Sequence, residues 1–213
     1  FDKEDYSIGI WEMTEKLQDL LTLYPVGETE LKEIEKFRGE KRRREYLTVR
    51  LLLMQMTGEK KRIAYEESGK PFLPNSEKHI SISHSQALTA IILSSFPAGI
   101  DTEVNSRDVE QIAPRFLSEG EVNWTSEAQD PCLARLFCWS CKESVYKMRG
   151  IPGIQFRENI LVEPLIIAPE GMAKAAFITE KRGEEKIDIG YLIIRSNIIA
   201  WGIADNKNPI ITP

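Results

Sequence analysis

The stretch Phe137-Cys138-Trp139-Ser140-Cys141-Lys142-Glu143-Ser144-Val145-Tyr146-Lys147 contains no proline or glycine, and its large apolar residues recur at helical spacing. A helix here is the strongest single constraint on the fold. Trp139, Glu143 and Lys147 stand four residues apart, which stacks an indole, a carboxylate and an amine along one stripe. Taken alone, the stripe is most simply a solvent-facing Glu–Lys pair, worth about 0.2–0.5 kcal/mol, over a packed tryptophan.

A chain of 213 residues can form one large domain or two small ones, each with a sizeable core. Its apolar runs, such as Ala87 to Leu93, are far too short to cross a bilayer. The opening Phe1-Asp2-Lys3-Glu4-Asp5 is charged and lacks the features of a secretory leader, so a cytoplasmic location away from membranes is expected. Three cysteines cannot all pair internally. Cys138 and Cys141 form a C-x-x-C inside the helix rather than at its start, and Cys132, His79 and His84 stand at no recognisable zinc spacing, so all three thiols read as packing groups.

The net charge of −5 argues against nucleic acid as a partner. The charge is uneven, however. Lys36, Arg38, Lys41, Arg42, Arg43, Arg44 and Arg50 face only Glu40 and Glu45 between residues 36 and 50. Such an island is either a solvated helix face or the seat of a polyanion.

In chain order, Tyr6 to Trp11 reads as a strand, and Thr14 as the cap of a helix through Leu23 that Pro25 ends. Helices follow over Glu28 to Arg38 and Glu40 to Met56. The second is expected to bury Tyr46, Leu47, Leu51, Met54 and Gln55, to point Lys41, Arg44 and Arg50 outward, and to end at Thr57-Gly58. Glu67-Ser68-Gly69-Lys70-Pro71 is a turn that fixes one ammonium between a flexible and a rigid residue. His79 to Ser85 alternates between isoleucines and serines, a strand with a hydroxyl-rich side ending at His84. Ala87 to Leu93 is the next strand, Ser94-Ser95-Phe96-Pro97 a hairpin turn, and Ala98 to Val104 a third strand.

On that third strand Asp101 and Glu103 face one side about 7 Å apart, within reach of one cation, and oxygen-only ligands favour a hard ion such as magnesium. An acidic, solvent-facing strand edge is the plainer alternative. Val109 to Phe116 reads as a short helix, and Asp130-Pro131 starts the helix described first, which Gly150-Ile151-Pro152-Gly153 ends. The rest, Ile160 to Ile211, is strand-rich. Leu192 to Asp205 faintly echoes Ala90 to Asp101, as two similar halves packed around a cleft would.

Taken together, a carboxylate pair, a third carboxylate beside a lysine and several fixed cations suit phosphoryl chemistry. The motifs appear in order. Gly69-Lys70-Pro71 resembles a G-K-P, Ser81-Ile82-Ser83-His84-Ser85 an N-x-S-H-S with Ser81 in place of Asn, and Gly99-Ile100-Asp101-Thr102-Glu103 a G-[IV]-D-x-E. Arg115-Phe116-Leu117-Ser118 resembles an R-F-F-S, and Trp139 through Ser144 with Lys147 and Gly150 a W-x-x-K-E-[SA]-x-x-K-x-x-G. In these the chain resembles the phosphopantetheinyl transferases, specifically the long, pseudo-dimeric surfactin-synthetase type.

The resemblance implies an α+β fold of two similar α/β subdomains, residues 1–100 and 101–213. Their antiparallel sheets would be related by a pseudo-twofold, with the active-site cleft between them. It implies magnesium-dependent transfer of the phosphopantetheine arm of coenzyme A to a serine of an apo acyl or peptidyl carrier protein, releasing adenosine bisphosphate. By motif, Asp101, Glu103 and Glu143 would hold magnesium, and Glu143 would take the serine proton. Lys147 would neutralise phosphate oxygens or protonate the leaving group. Lys70, Pro71, Ser83 and His84 would contact the coenzyme, and Arg44 with its basic neighbours its ribose phosphate. A monomer is expected, since an internal duplication supplies both halves. The competing readings are a magnesium-dependent hydrolase of a nucleotide pyrophosphate and a non-catalytic protein that binds carrier or coenzyme.

Overall fold

The computed structural model describes residues 2–181 and 183–204, which form an α+β fold. Asp205 and the strand-rich reading of 205–211 lie outside them. The first strand, β1 (Tyr6–Glu12), is followed by α1 (Leu17–Leu23), α2 (Glu28–Lys36) and α3 (Glu40–Thr57). Thr14 does not cap α1: the helix starts three residues later, at Leu17, and Lys16 holds the cap position. Gly58 ends α3 in the left-handed conformation, at φ 72°.

A short ribbon, β2 (Ala64–Tyr65) with β3 (Pro71–Phe72), carries the turn with Lys70 at its tip. Then come β4 (His79–His84), β5 (Leu88–Ser94) and β6 (Ala98–Val104). Strands β1, β5 and β4 form one antiparallel sheet in that order. Its core against α3 is Val49, Leu52, Leu53, Ile80, Ile91 and Leu93.

The turn Ser94 to Pro97 is not a hairpin turn. β6 leaves the first sheet and pairs along its whole length with β10 (Asn197–Ile203), from Ala98 opposite Ile203 to Val104 opposite Asn197. The second sheet runs β6, β10, β9 (Gly183–Ile194), β8 (Glu170–Thr179), β7 (Ile160–Val162). The supposed echo is therefore unequal: β9 and β10 are a true hairpin, whereas β5 and β6 belong to different sheets.

The two sheets meet at β4 and β6 through serine hydroxyls instead of a backbone ladder. Ser81 Oγ accepts the Ile100 N–H at 3.1 Å, and Ser83 Oγ accepts the Thr102 N–H at 3.2 Å. The period-two alternation of β4 puts both hydroxyls on the side that needs acceptors. Satisfying buried amides this way avoids a desolvation cost of roughly 1–3 kcal/mol each.

Between β6 and β7 lie a 3-10 turn (Glu110–Ile112), α4 (Ala113–Phe116), α5 (Glu119–Glu127), α6 (Pro131–Arg149) and α7 (Phe156–Asn159). Ser118 and Glu121 form a capping box at the start of α5. Asp130 Oδ1 accepts the Leu133 N–H at 3.0 Å, Pro131 occupies the first turn of α6, and Gly150 (φ 61°) closes it. One face of α6 (Phe137, Cys138, Cys141, Val145, Met148) is buried in the core over the second sheet. Cys138 and Cys141 are packing groups, as their position predicts, while Cys132 is exposed. Among the described residues no helix is long and apolar enough to cross a membrane.

Two more expectations for α3 are revised. Arg50 points inward, 7 % exposed, with its guanidinium 3.2 Å from the Tyr46 ring centroid and ion-paired to Glu30 and Glu33. Gln55, placed in the buried face by its spacing, is exposed.

Candidate active site

The crossing of α6 over β6 builds the site, and Gly99 permits it. A Cβ at Gly99 would lie 2.0 Å from the Ser144 carbonyl oxygen and 2.4 Å from the Met148 nitrogen, so only glycine lets the helix backbone approach this closely. Two residues on, Asp101 comes under the polar stripe of α6.

Asp101 is 4 % exposed and fully partnered. Its Oδ1 accepts from Lys147 Nζ at 2.7 Å and from Ser83 Oγ at 3.0 Å, and its Oδ2 accepts from Ser140 Oγ at 3.0 Å. Lys147 also donates to Ser83 Oγ at 3.1 Å. Ser83 thus gives its one proton to Asp101 and uses both lone pairs for Thr102 and Lys147. Glu103 Oε1 accepts from Trp139 Nε1 at 3.0 Å and is ion-paired with Arg107.

One cavity of about 330 Å³ is lined by Ser83, His84, Asp101, Glu103, Arg107, Trp139, Glu143 and Lys147 among others. The two carboxylates of β6 and the one on α6 therefore share a single space. A second cavity, about 340 Å³, is lined by Lys70, Pro71, Ile80, Tyr146 and Gly150. Ile82 and Lys147 belong to both, so the two are neighbouring compartments of one cleft.

Within the cleft Glu143 makes no hydrogen bond or ion pair to the described residues. Burial, followed by the nearby Asp101 charge, pushes its carboxyl up to about 7 against an opposing pull from Lys147. Such a group exchanges protons readily near neutrality. Trp139 both lines the cavity and anchors the helix, packing edge-on to Phe116 with ring centroids 5.1 Å apart.

Lys70 Nζ lies 3.5 Å from the Met148 carbonyl at the end of α6, and burial lowers its pKa. His84 meets Arg42, whose Nη1 is 2.9 Å from its Nε2. Because a guanidinium can only donate, the ring nitrogen facing it accepts, and burial lowers the His84 pKa in the same sense. Arg42 and Arg44 line neither cavity; Arg44 Nη2 donates to the Met13 carbonyl at 2.6 Å, tying α3 to the end of β1.

The donor chemistry of Asp101, Glu103 and Glu143 fits a hard divalent cation. Among the described residues, however, no three acidic, imidazole or thiolate groups stand at metal-ligand spacing. Asp101 and Glu103 are turned to Lys147 and Arg107 instead.

Three participants were given no role by the sequence reading, Ser140, Arg107 and Lys142, and Arg42 was named only among the basic neighbours of Arg44. Ser140 was detectable, since it lies three and seven residues before Glu143 and Lys147 on one helix face. Lys142 is wholly buried, and its ammonium donates to Phe116 O at 2.7 Å, Glu121 Oε2 at 2.7 Å, Phe156 O at 2.9 Å and Ile160 O at 2.5 Å. It fastens the segments around α6 together.

The cleft thus combines a carboxyl raised toward neutrality, a lysine–aspartate pair and an oxygen-rich wall. Residues 97–179, which carry most of it, match the model of the 4'-phosphopantetheinyl transferase superfamily. Over that segment, somewhat under half of the chain, the protein is similar to this superfamily of transferases. No curated protein matches the chain.

Proposed function

We propose that this protein transfers the 4'-phosphopantetheine arm of coenzyme A to a serine of an apo acyl or peptidyl carrier protein, as a magnesium-dependent enzyme of the long, surfactin-synthetase type. The observation that carries the reading is the meeting of Asp101, Glu103, Glu143 and Lys147 on one cavity, next to a second lined by Lys70 and Pro71. Support for the long type comes from the motif residues Lys70, Pro71, Ser83 and His84, which lie outside the matched segment yet line the same cleft.

Glu143, kept without a partner and titrating near neutrality, takes the proton from the carrier hydroxyl, making its oxygen a better nucleophile. Lys147 holds its ammonium at the wall between the two cavities, where it meets phosphate oxygens and steadies the charge that develops on them. Lys70 and His84, with Arg42 behind the imidazole, bind the coenzyme phosphates through charge-assisted hydrogen bonds. Asp101, Glu103 and Glu143 would hold magnesium, which supplies neutralisation of pyrophosphate oxygens.

We also read the chain as two subdomains with a pseudo-twofold between them. In support, a long helix packs on each sheet, α3 on the first and α6 on the second. Because Ala98–Val104 pairs wholly with β10, we draw the division just before it rather than after residue 100.

The test is incubation with coenzyme A, magnesium and an apo carrier protein. A phosphopantetheine mass gain on the carrier serine is expected. Cleavage of the coenzyme with no gain would make the protein a hydrolase, and neither event would make it a binding protein.

A further inference from the structure

Glu103 enters the cleft already neutralised. Its partner Arg107 stands on the turn leaving β6, where the Arg107 N–H donates to the Val104 carbonyl at 2.9 Å. The Arg107 side chain is 39 % exposed, against 12 % for Glu103. Its guanidinium carbon also lies 5.2 Å from the centroid of the Trp139 ring, the residue whose Nε1 holds the same Glu103 oxygen. The guanidinium therefore has a second partner, an aromatic face, whose attraction does not depend on Glu103.

Asp101 differs in kind. Its oxygens are held by Lys147, Ser83 and Ser140, all packed around a side chain that is 4 % exposed. The Glu103 pair is open to water on the arginine side, and such pairs are individually weak. With three carboxylates on one cavity, some cation must compensate Glu103 before any metal arrives. Lys147 is committed to Asp101.

We propose that Arg107 is an internal counter-ion that holds the place of a divalent cation on Glu103 and yields it when the cation binds, keeping its contact with the Trp139 ring. The proposal rests on the transferase reading above. Arg107 then competes with the metal, so its removal strengthens metal binding. A residue that merely ordered Glu103 as a ligand would have the opposite effect.

The probe is Mn2+, titrated into the purified protein without coenzyme A, with the free ion followed by electron paramagnetic resonance. Arg107→Gln is expected to bind Mn2+ about two- to fivefold more tightly than the wild type, the range an exposed ion pair allows. Arg107→Lys, which keeps the charge, should remain close to the wild type. Arg135→Gln removes an equal charge paired to Glu110, which lines neither cavity, and should leave Mn2+ affinity unchanged. Equal or weaker binding by Arg107→Gln overturns the counter-ion role while leaving the transferase reading intact, as does equal tightening by Arg135→Gln. Failure of the wild type to bind Mn2+ saturably overturns both the counter-ion role and the metal assignment.

Discussion

Lys147 Nζ and Asp101 Oδ1 lie 2.7 Å apart, joining the last turn of α6 to the middle of β6 at the wall between two cavities. The pair is buried on the carboxylate side and 28 % exposed on the lysine side, so the ammonium is oriented yet still accessible to a ligand.

Glu143→Gln removes a charge from the cleft but little volume. Transfer is expected to fall by about 10²–10⁴-fold, read as loss of the carrier mass gain, with the fold retained by circular dichroism. Near-normal turnover would take Glu143 out of the chemistry.

The same substitution alters stability with a definite sign. The Glu143 carboxyl is raised in the folded state from 4.5 to about 7. Its stabilising contribution is therefore fully present below about pH 4.5 and is lost as pH rises through about 7. Without magnesium, the variant should gain on the wild type across that window, by on the order of 2 kcal/mol above it. Denaturant melts at pH 4.5 and 8 check this, and an unchanged difference would contradict it.

Arg42→Ala and Lys70→Ala should each weaken coenzyme A binding, by about 1–3 kcal/mol in a calorimetric titration. Arg44→Ala should mainly lower the melting temperature, because its guanidinium serves the Met13 carbonyl. A larger loss of affinity in Arg44→Ala than in Arg42→Ala would return the phosphate to Arg44.

Gly99→Ala places a methyl group against the Ser144 and Met148 backbone. It should cost roughly 1–3 kcal/mol in urea unfolding and lower transfer as well, since α6 carries Glu143 and Lys147 away from Asp101 as it shifts.

Lys142→Met leaves Glu121 buried without its cation, although Glu121 keeps the Val162 and Ser118 N–H groups. A loss of roughly 3–5 kcal/mol is expected, read from the urea midpoint. Pairing it with Glu121→Leu should recover part of that loss.

Much of this molecule was legible before folding. Helix α6 and strand β4 each announce themselves by period and by their bounding residues. Sheet membership was not legible. Ser94 to Pro97 has the composition of any turn, and β6 is claimed by β10, a strand about a hundred residues later. The rotation of α3 was equally hidden: Leu47, Val49, Leu51, Leu52 and Leu53 are buried on several sides of it, so no apolar stripe says which arginine meets His84. Lys142 gave no signal because its acceptors come from separated segments that only the folded chain brings together.

The Ser81 and Ser83 hydroxyls that stitch β4 to β6 have a mechanical consequence. A ladder would join the sheets backbone to backbone, whereas here the Ile100 and Thr102 amides hang on the side chains of Ser81 and Ser83, with Ser83 also bonded to Asp101. Deuterium should enter those two amides well before it reaches their neighbours bonded to β10.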